Sequence, residues 1–253
     1  MRTEDPEIDT FEIYQGKEQI STDYNPRLGF VRKVYGILSC QLLFTSFLVV
    51  LAQTSFKSFF QPTDGPNPLA MALFYLAMIG SIITCIMVGC YTSLARTVPT
   101  NYILLGVFTL CEAYLVAFTT TFFYPSDVLL AACLTCALTL TLTLYAYTTK
   151  RDFTVYGATL WILSWGLLAL TVLFSFMFMG NSKVFRVMDI VISVVAVIFY
   201  GFYLIYDTQI IMGGGRFELS LDDYILGALV LYVDIIILFL RILRILAAAR
   251  SRN

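Results

Sequence analysis

The sequence predicts an all-α membrane protein, a seven-helix bundle with the last helix central. Three observations carry that fold class. Hydrophobic residues fill 59% of the 253 positions and charged residues only 13%, with a mean hydropathy of +0.81, a balance that no water-facing surface accommodates. Apolar runs of about 20 residues, enough to cross a hydrocarbon core of ~30 Å as a helix, recur between short polar breaks. Two aspartates, Asp207 and Asp234, sit in the last two runs, where a lipid-spanning chain should carry no charge.

The seven runs cover approximately 34–53, 69–91, 101–123, 128–149, 157–180, 187–212 and 224–246. They leave no room for a second globular domain, so the expected division is a cytosolic acidic N-terminal tail (1–30), a seven-helix transmembrane domain (31–247) and a C-terminal tail (248–253). The first tail lacks the apolar core of a cleaved signal peptide, which makes the first run the expected insertion signal. Lys17, Arg27, Arg32 and Lys33 precede that run, and only Lys57 follows it in the first loop, so the N terminus is expected in the cytosol. Later loops keep the alternation, with Arg96, Lys150, Arg151 and Arg216 inside and Lys183 and Arg186 outside.

The end of the chain strains this pattern. A complete seventh crossing would carry Arg241, Arg244, Arg250 and Arg252 outward against the positive-inside bias, whereas a short or re-entrant last helix would keep them cytosolic. Either topology encloses this polar segment in the bundle, because re-entrant backbone survives at membrane depth only within protein or beside a wet cavity. Gly213-Gly-Gly is expected to stop run six, and Ser220-Leu-Asp-Asp223 to form a capping box with Asp223 as its third helical residue. A turn that tight sets runs six and seven side by side and antiparallel. Asp207 lies six residues before Gly213 and Asp234 ten after Tyr224, which leaves a depth difference of roughly 6 Å at 1.5 Å per residue.

Composition excludes several chemistries. The chain has no histidine, which removes Ser-His and Cys-His nucleophiles, imidazole metal sites and the usual switch residue near neutral pH. Its six cysteines, Cys40, Cys85, Cys90, Cys111, Cys133 and Cys136, all fall in apolar runs, where thiols serve as small packing groups. Cys133-Leu-Thr-Cys136 reads the same way, its alternative being a redox or metal pair that would need further ligands. No resident cofactor and no nucleic-acid partner are expected.

An ionisable group near the bilayer centre costs about 2.5–3.5 kcal/mol, so it faces a partner or a wet path. Asp207 and Asp234 have two readings. Each could bond a neighbouring hydroxyl, such as Tyr206, Thr208 or Tyr232, and hold helices together. Alternatively the two share a proton and titrate together near neutral pH. Ionised, they would offer oxygen ligands to Ca²⁺; protonated, they would bond to each other and close the bundle, which describes a pH-gated cation path. Glu112, mid-way along run three, is either a third carboxylate on that route or a helix-helix hydrogen-bonding group.

Arg241 lies two helical turns beyond Asp234, about 10.5 Å along nearly the same face, and Arg244 is off that face. One arginine could latch a carboxylate, or both could reach for the interface. Asp189 and Arg186 read as interface residues, and Trp161, Trp165 and the tyrosines at run ends as an aromatic belt. The threonines of run four (135, 139, 141, 143, 148 and 149) either line a polar path or bond their own helix backbone.

Four segments resemble the transmembrane Bax inhibitor motif family, in its lifeguard branch: Phe30-Val-Arg-Lys-Val-Tyr35 leading into Gln41-Leu-Leu, Pro99 with Glu112, Lys150-Arg-Asp-Phe-Thr154 with Gly157, and Tyr206 through Ile236. The resemblance spans roughly 28 to 247. It implies seven helices with the last enclosed by six, and a pH-sensitive calcium leak across endomembranes (endoplasmic reticulum, Golgi or lysosome) that restrains cell death. By that likeness Asp207 and Asp234 match the family's di-aspartyl sensor, and its gating arginine would fall at about Arg96. The chain departs from the pattern at Ile237, where an asparagine is usual, and at Arg241, where the pattern is uncharged; Arg244 matches a basic position.

The expected partners are therefore the lipid bilayer, calcium as permeant ion, protons and cell-death regulatory membrane proteins. Two other functions compete. An intramembrane aspartyl protease would use the same two carboxylates, though Leu231-Tyr-Val precedes Asp234 in place of Gly-x-Gly. A non-conducting scaffold would restrain cell death by binding membrane partners through its tail and helices.

Overall fold

Proline and asparagine set where several helices begin. In the computed structural model, which describes residues 26–61, 67–177 and 182–250, α1 starts at a proline and runs Pro26–Thr54. Asn67 caps α2 (Pro68–Cys90) by accepting a hydrogen bond from the Leu69 amide at 2.9 Å, with Pro68 in the first turn. After α3 (Thr100–Thr120), α4 (Pro125–Thr148) again opens on a proline, whose fixed φ suits a first helical turn. The series ends with α5 (Gly157–Met177), α6 (Ser182–Met212) and α7 (Tyr224–Arg250). All seven are long and apolar enough to cross a membrane.

The helices match the seven apolar runs but extend beyond them where polar residues continue the backbone pattern. α1 begins eight residues earlier than hydropathy alone suggests, and α7 continues to Arg250. The acidic tail, including Lys17, falls outside the described residues up to position 25, as do Arg252 and the rest of the chain end and the expected end of run five at 178–180. The Lys183 side chain is likewise outside them.

α7 is the axis of the bundle. It packs against α1, α4 and α6 and touches α2 and α3, whereas α5 leans mainly on α6. Two thirds of its most apolar stretch is buried, against 6% of the equivalent stretch of α5. Association inside lipid depends on close packing rather than on water expulsion, so small residues mark the contacts. Ala70, Ala113, Ala131, Ala196 and Ala228 are fully enclosed, and Tyr232 and Leu238 fill the centre from α7.

At 27 residues, about 40 Å, α7 is one unbroken helix long enough to cross completely, so the alternative of a short last helix is corrected. Its arginines reach the face opposite the start of α1, but there Arg244 pairs with Asp189 at 3.0 Å and Arg250 with Asp127 at 3.2 Å. Pairing offsets two of the charges that made an outward crossing look unfavourable, and Arg241 stays outside both pairs. The capping box is also corrected. The helix begins at Tyr224, so Asp223 precedes it and gives its carbonyl to the Gly227 amide at 2.9 Å, leaving its carboxylate for another partner.

The cysteines differ from their expected packing role. Cys40, Cys90, Cys133 and Cys136 lie on the outer surface, where lipid fills the space around an exposed thiol. Thr135, Thr141 and Thr148 bond the carbonyl four residues earlier in their own helix, the ordinary outlet for a hydroxyl in a membrane helix.

Candidate functional site

The turn between α6 and α7 aligns the two acidic positions. α6 stops at Gly213 and Gly214, whose φ values of +75° and +83° suit only glycine without strain. A side chain on Gly213 would meet Glu218 and Arg27 within 3.0 Å. The linker then folds back, with the Leu219 amide donating to the Ile210 carbonyl at 3.1 Å. Arg27 of α1 staples this arrangement, donating to the Leu219 carbonyl at 2.6 Å and to the Ile210 carbonyl at 2.5 Å.

Because the linker folds back, Gly227 lies against Ile211 and Val34, so close that a methyl added to it would stand 3.3–3.4 Å from both. From that contact Asp207 is four residues along α6 and Asp234 seven along α7, so the depth difference shrinks to about 4.5 Å, within reach of two side chains. The two carboxyl groups face each other closely enough for a hydrogen bond when one carries a proton. Asp207 is 8% exposed and Asp234 4%. Two ionised carboxylates are acceptors only, so a direct hydrogen bond forms between such a pair only when one is protonated.

The hydroxyls expected as structural partners are used elsewhere or left over. Tyr232 bonds Thr45 of α1 at 2.8 Å, and the Tyr206 ring lies against Gly157 of α5. Thr208 is fully buried, and its hydroxyl sits beside Tyr35 of α1 but off hydrogen-bond geometry. Asp234 Oδ2, Thr139 Oγ1 and Ser193 Oγ are likewise enclosed without a partner among the described residues. Buried polar atoms in that condition often mark a place that water or an ion occupies.

Glu112 lies away from the pair. It lies beside Ser81 of α2, whose hydroxyl donates to the Met78 carbonyl at 3.1 Å, and stands within electrostatic range of Tyr232 and Cys85. Arg96 makes a bidentate ion pair with Asp223, at 2.8 and 2.9 Å, just before α7, so the position aligned with the gating arginine does not reach Asp207 or Asp234. Arg244 is committed to Asp189 at the helix end. Arg241 is half-buried rather than extended into the interface, with Nη1 enclosed and lacking a hydrogen-bond partner among the described residues.

Nearby, Asp152 ties two linkers together. Its carboxylate accepts from the Thr154 hydroxyl at 2.6 Å and amide at 2.9 Å, and from the Arg216 amide at 2.9 Å. The Thr154 hydroxyl, then those backbone bonds, hold the Asp152 carboxyl below the usual carboxylate range. Sequence reasoning missed this tie and the Arg27 staple. It counted Arg27 only as a positive-inside charge, although its place at the foot of α1 put it near the α6–α7 turn.

Chemically, the pair offers hard oxygen ligands suited to Ca²⁺, which takes six to eight. Among the described residues no group of three or more Asp, Glu, His or Cys side chains gathers in one place.

The family model described as Inhibitor of apoptosis-promoting Bax1 matches residues 27–251. Protein lifeguard 4 of Mus musculus is 33% identical over 232 residues, covering 92% of this chain and 90% of its own length. Protein lifeguard 3 of Homo sapiens is 26% identical over 242 residues, covering 92% of this chain and 76% of its own.

Proposed function

The chain belongs to the Bax inhibitor family, in its lifeguard branch, and from that premise we propose that it is a proton-sensitive calcium leak of an intracellular membrane that restrains cell death. The observation that carries this reading is the close pairing of the buried carboxyls of Asp207 and Asp234 at the junction of α6 and α7. While a proton joins the carboxyls, the two helices are held together. Loss of that proton turns the bond into a repulsion between like charges and presents oxygen ligands to a cation.

Asp207 and Asp234 act as the sensor and as transient calcium ligands, with the unpartnered hydroxyls of Thr139, Ser193 and Thr208 as polar footing along the interior. Glu112 stands apart from the pair, at a separate contact between α3 and α2 beside Ser81. Restraint of cell death rests on kinship: the matching family model is described as an inhibitor of apoptosis-promoting Bax1.

The test is calcium flux into proteoliposomes from about pH 6 to about pH 8, for the wild type, Asp207→Asn, Asp234→Asn and the double variant. Asparagines keep the shape and hydrogen bonding but cannot lose a proton, so the double variant should lose the pH response. A double variant whose flux follows pH as the wild type does removes the gate.

A further inference from the structure

The carboxyl pair is not the only charge on the inner face of α7. Arg241 follows Asp234 by seven residues, with the fully buried Leu238 between them on nearly the same face. It is half-buried, and its Nη1 is enclosed with no hydrogen-bond partner among the described residues. A guanidinium is always charged, so this position holds a fixed positive charge about 10.5 Å along the axis from the acids.

The neighbours of Arg241 do not cancel that charge. The groups within electrostatic range are Arg244, Asp189 and Tyr200. The Asp189 carboxylate is already engaged by Arg244 at 3.0 Å, so two guanidiniums share one carboxylate and the local balance is +1. Farther out, Arg250 and Asp127 neutralise each other.

Tyrosines connect the two sites. Tyr200 of α6 lies within electrostatic range of both Asp234 and Arg241. Tyr203, stacked on Tyr200 with ring centroids 6.0 Å apart, lies within range of Asp207 and Asp234. The α6–α7 seam therefore runs from an acidic pair, past two phenols, to an unneutralised cation.

Resting on the leak reading above, we infer that Arg241 is the electrostatic barrier on the side of the path away from the N terminus, limiting calcium conductance and discriminating against divalent ions. A fixed unit charge repels a divalent cation twice as strongly as a monovalent one at the same distance. Neutralising it therefore raises calcium flux more than potassium flux. On this reading the ion that the acids attract must pass the arginine to cross.

The experiment compares wild type, Arg241→Gln and Arg241→Lys in proteoliposomes, measuring calcium and potassium flux on the same preparations, with monodisperse elution in detergent as the criterion of folding. Arg241→Gln should raise calcium flux about tenfold and potassium flux only about threefold, and Arg241→Lys, which keeps the charge, should stay near wild type. An unchanged calcium-to-potassium ratio in Arg241→Gln overturns the barrier, as does a lysine variant that behaves like the glutamine one. Adding Asp207→Asn/Asp234→Asn separates the two ideas. A pH response surviving that change removes the acidic gate while the Arg241 ratio still reads out. If no variant carries calcium, the leak reading and the barrier fall together.

Discussion

Arg250 Nη2, in the last turn of α7, lies 3.2 Å from Asp127 Oδ1 in the first turn of α4, and Ser126 completes the contact at 3.0 Å. This links the end of the last helix to the α3–α4 junction, one crossing removed from the face where Arg27 holds the α6–α7 linker. A cysteine introduced at Arg250 should therefore react with an impermeant thiol reagent only from the side opposite one introduced at Arg96. These labelling experiments use a background without the exposed native cysteines, and labelling of both from one side would mean that α7 does not cross.

The same pair has an energetic signature. Asp127 is nearly buried while Arg250 is half-exposed, so removing the arginine strands a carboxylate already near the positive end of a helix dipole. Arg250→Gln should cost about 1 kcal/mol of stability in micelles. Asp127→Asn on top of it should add little, giving a measurable coupling in a double-mutant cycle.

Arg27→Met keeps the aliphatic stem but removes the guanidinium, which lies 4.9 Å from the Phe30 ring centroid and hydrogen-bonds Ile210 and Leu219. The expected loss is about 1–3 kcal/mol, concentrated in the α6–α7 turn. Hydrogen exchange should accelerate at the Leu219 amide before it does in the middle of α7. Uniform acceleration along α7 would show that the staple does not act locally.

Gly157→Ala places a methyl into the Tyr206 ring, whose Cζ and Cε2 lie 2.9 and 3.0 Å from it. Overpacking of this kind costs about 1–3 kcal/mol. The displaced residue is next to Asp207, so the flux profile against pH should shift together with the melting temperature; Gly166→Ala, with open space around it, is the control that should change neither.

The Asp152 tie has a different pH window. Its folded carboxyl is held below the ordinary value of 3.8, so its contribution is fully present above that value and is lost as pH falls through the lowered one. The linker contact should remain constant from about pH 5 to about pH 8. Asp152→Asn should weaken protection of the Arg216 amide without changing the shape of the flux profile in that range. A profile that changes would place part of the pH response in the linkers.

Hydropathy made the seven helices legible because each span must satisfy its backbone internally and face lipid. The glycine run and the antiparallel hairpin made the approach of Asp207 to Asp234 legible as well. What escaped were contacts between distant charges: Arg244 with Asp189, Arg250 with Asp127, and Arg96 with Asp223. Each is a relation across 55 or more positions, invisible to a periodicity read along one helix. The exit side of α7 was ambiguous for that reason, since charge counting saw arginines but not the acids beside them. The outward thiols of Cys133 and Cys136 were missed because a uniformly apolar helix does not advertise which face meets lipid.

The central place of α7 bears on biogenesis. It is the innermost helix and follows the other six in the sequence, and its own Asp234, Arg241 and Arg244 make it a poor candidate for lingering alone in hydrocarbon. The six earlier helices must therefore be gathered, with a slot still open, when it arrives. A nascent chain halted before Tyr224 would leave Asp207 without the neighbour that takes up its proton, a defect that membrane quality control could recognise.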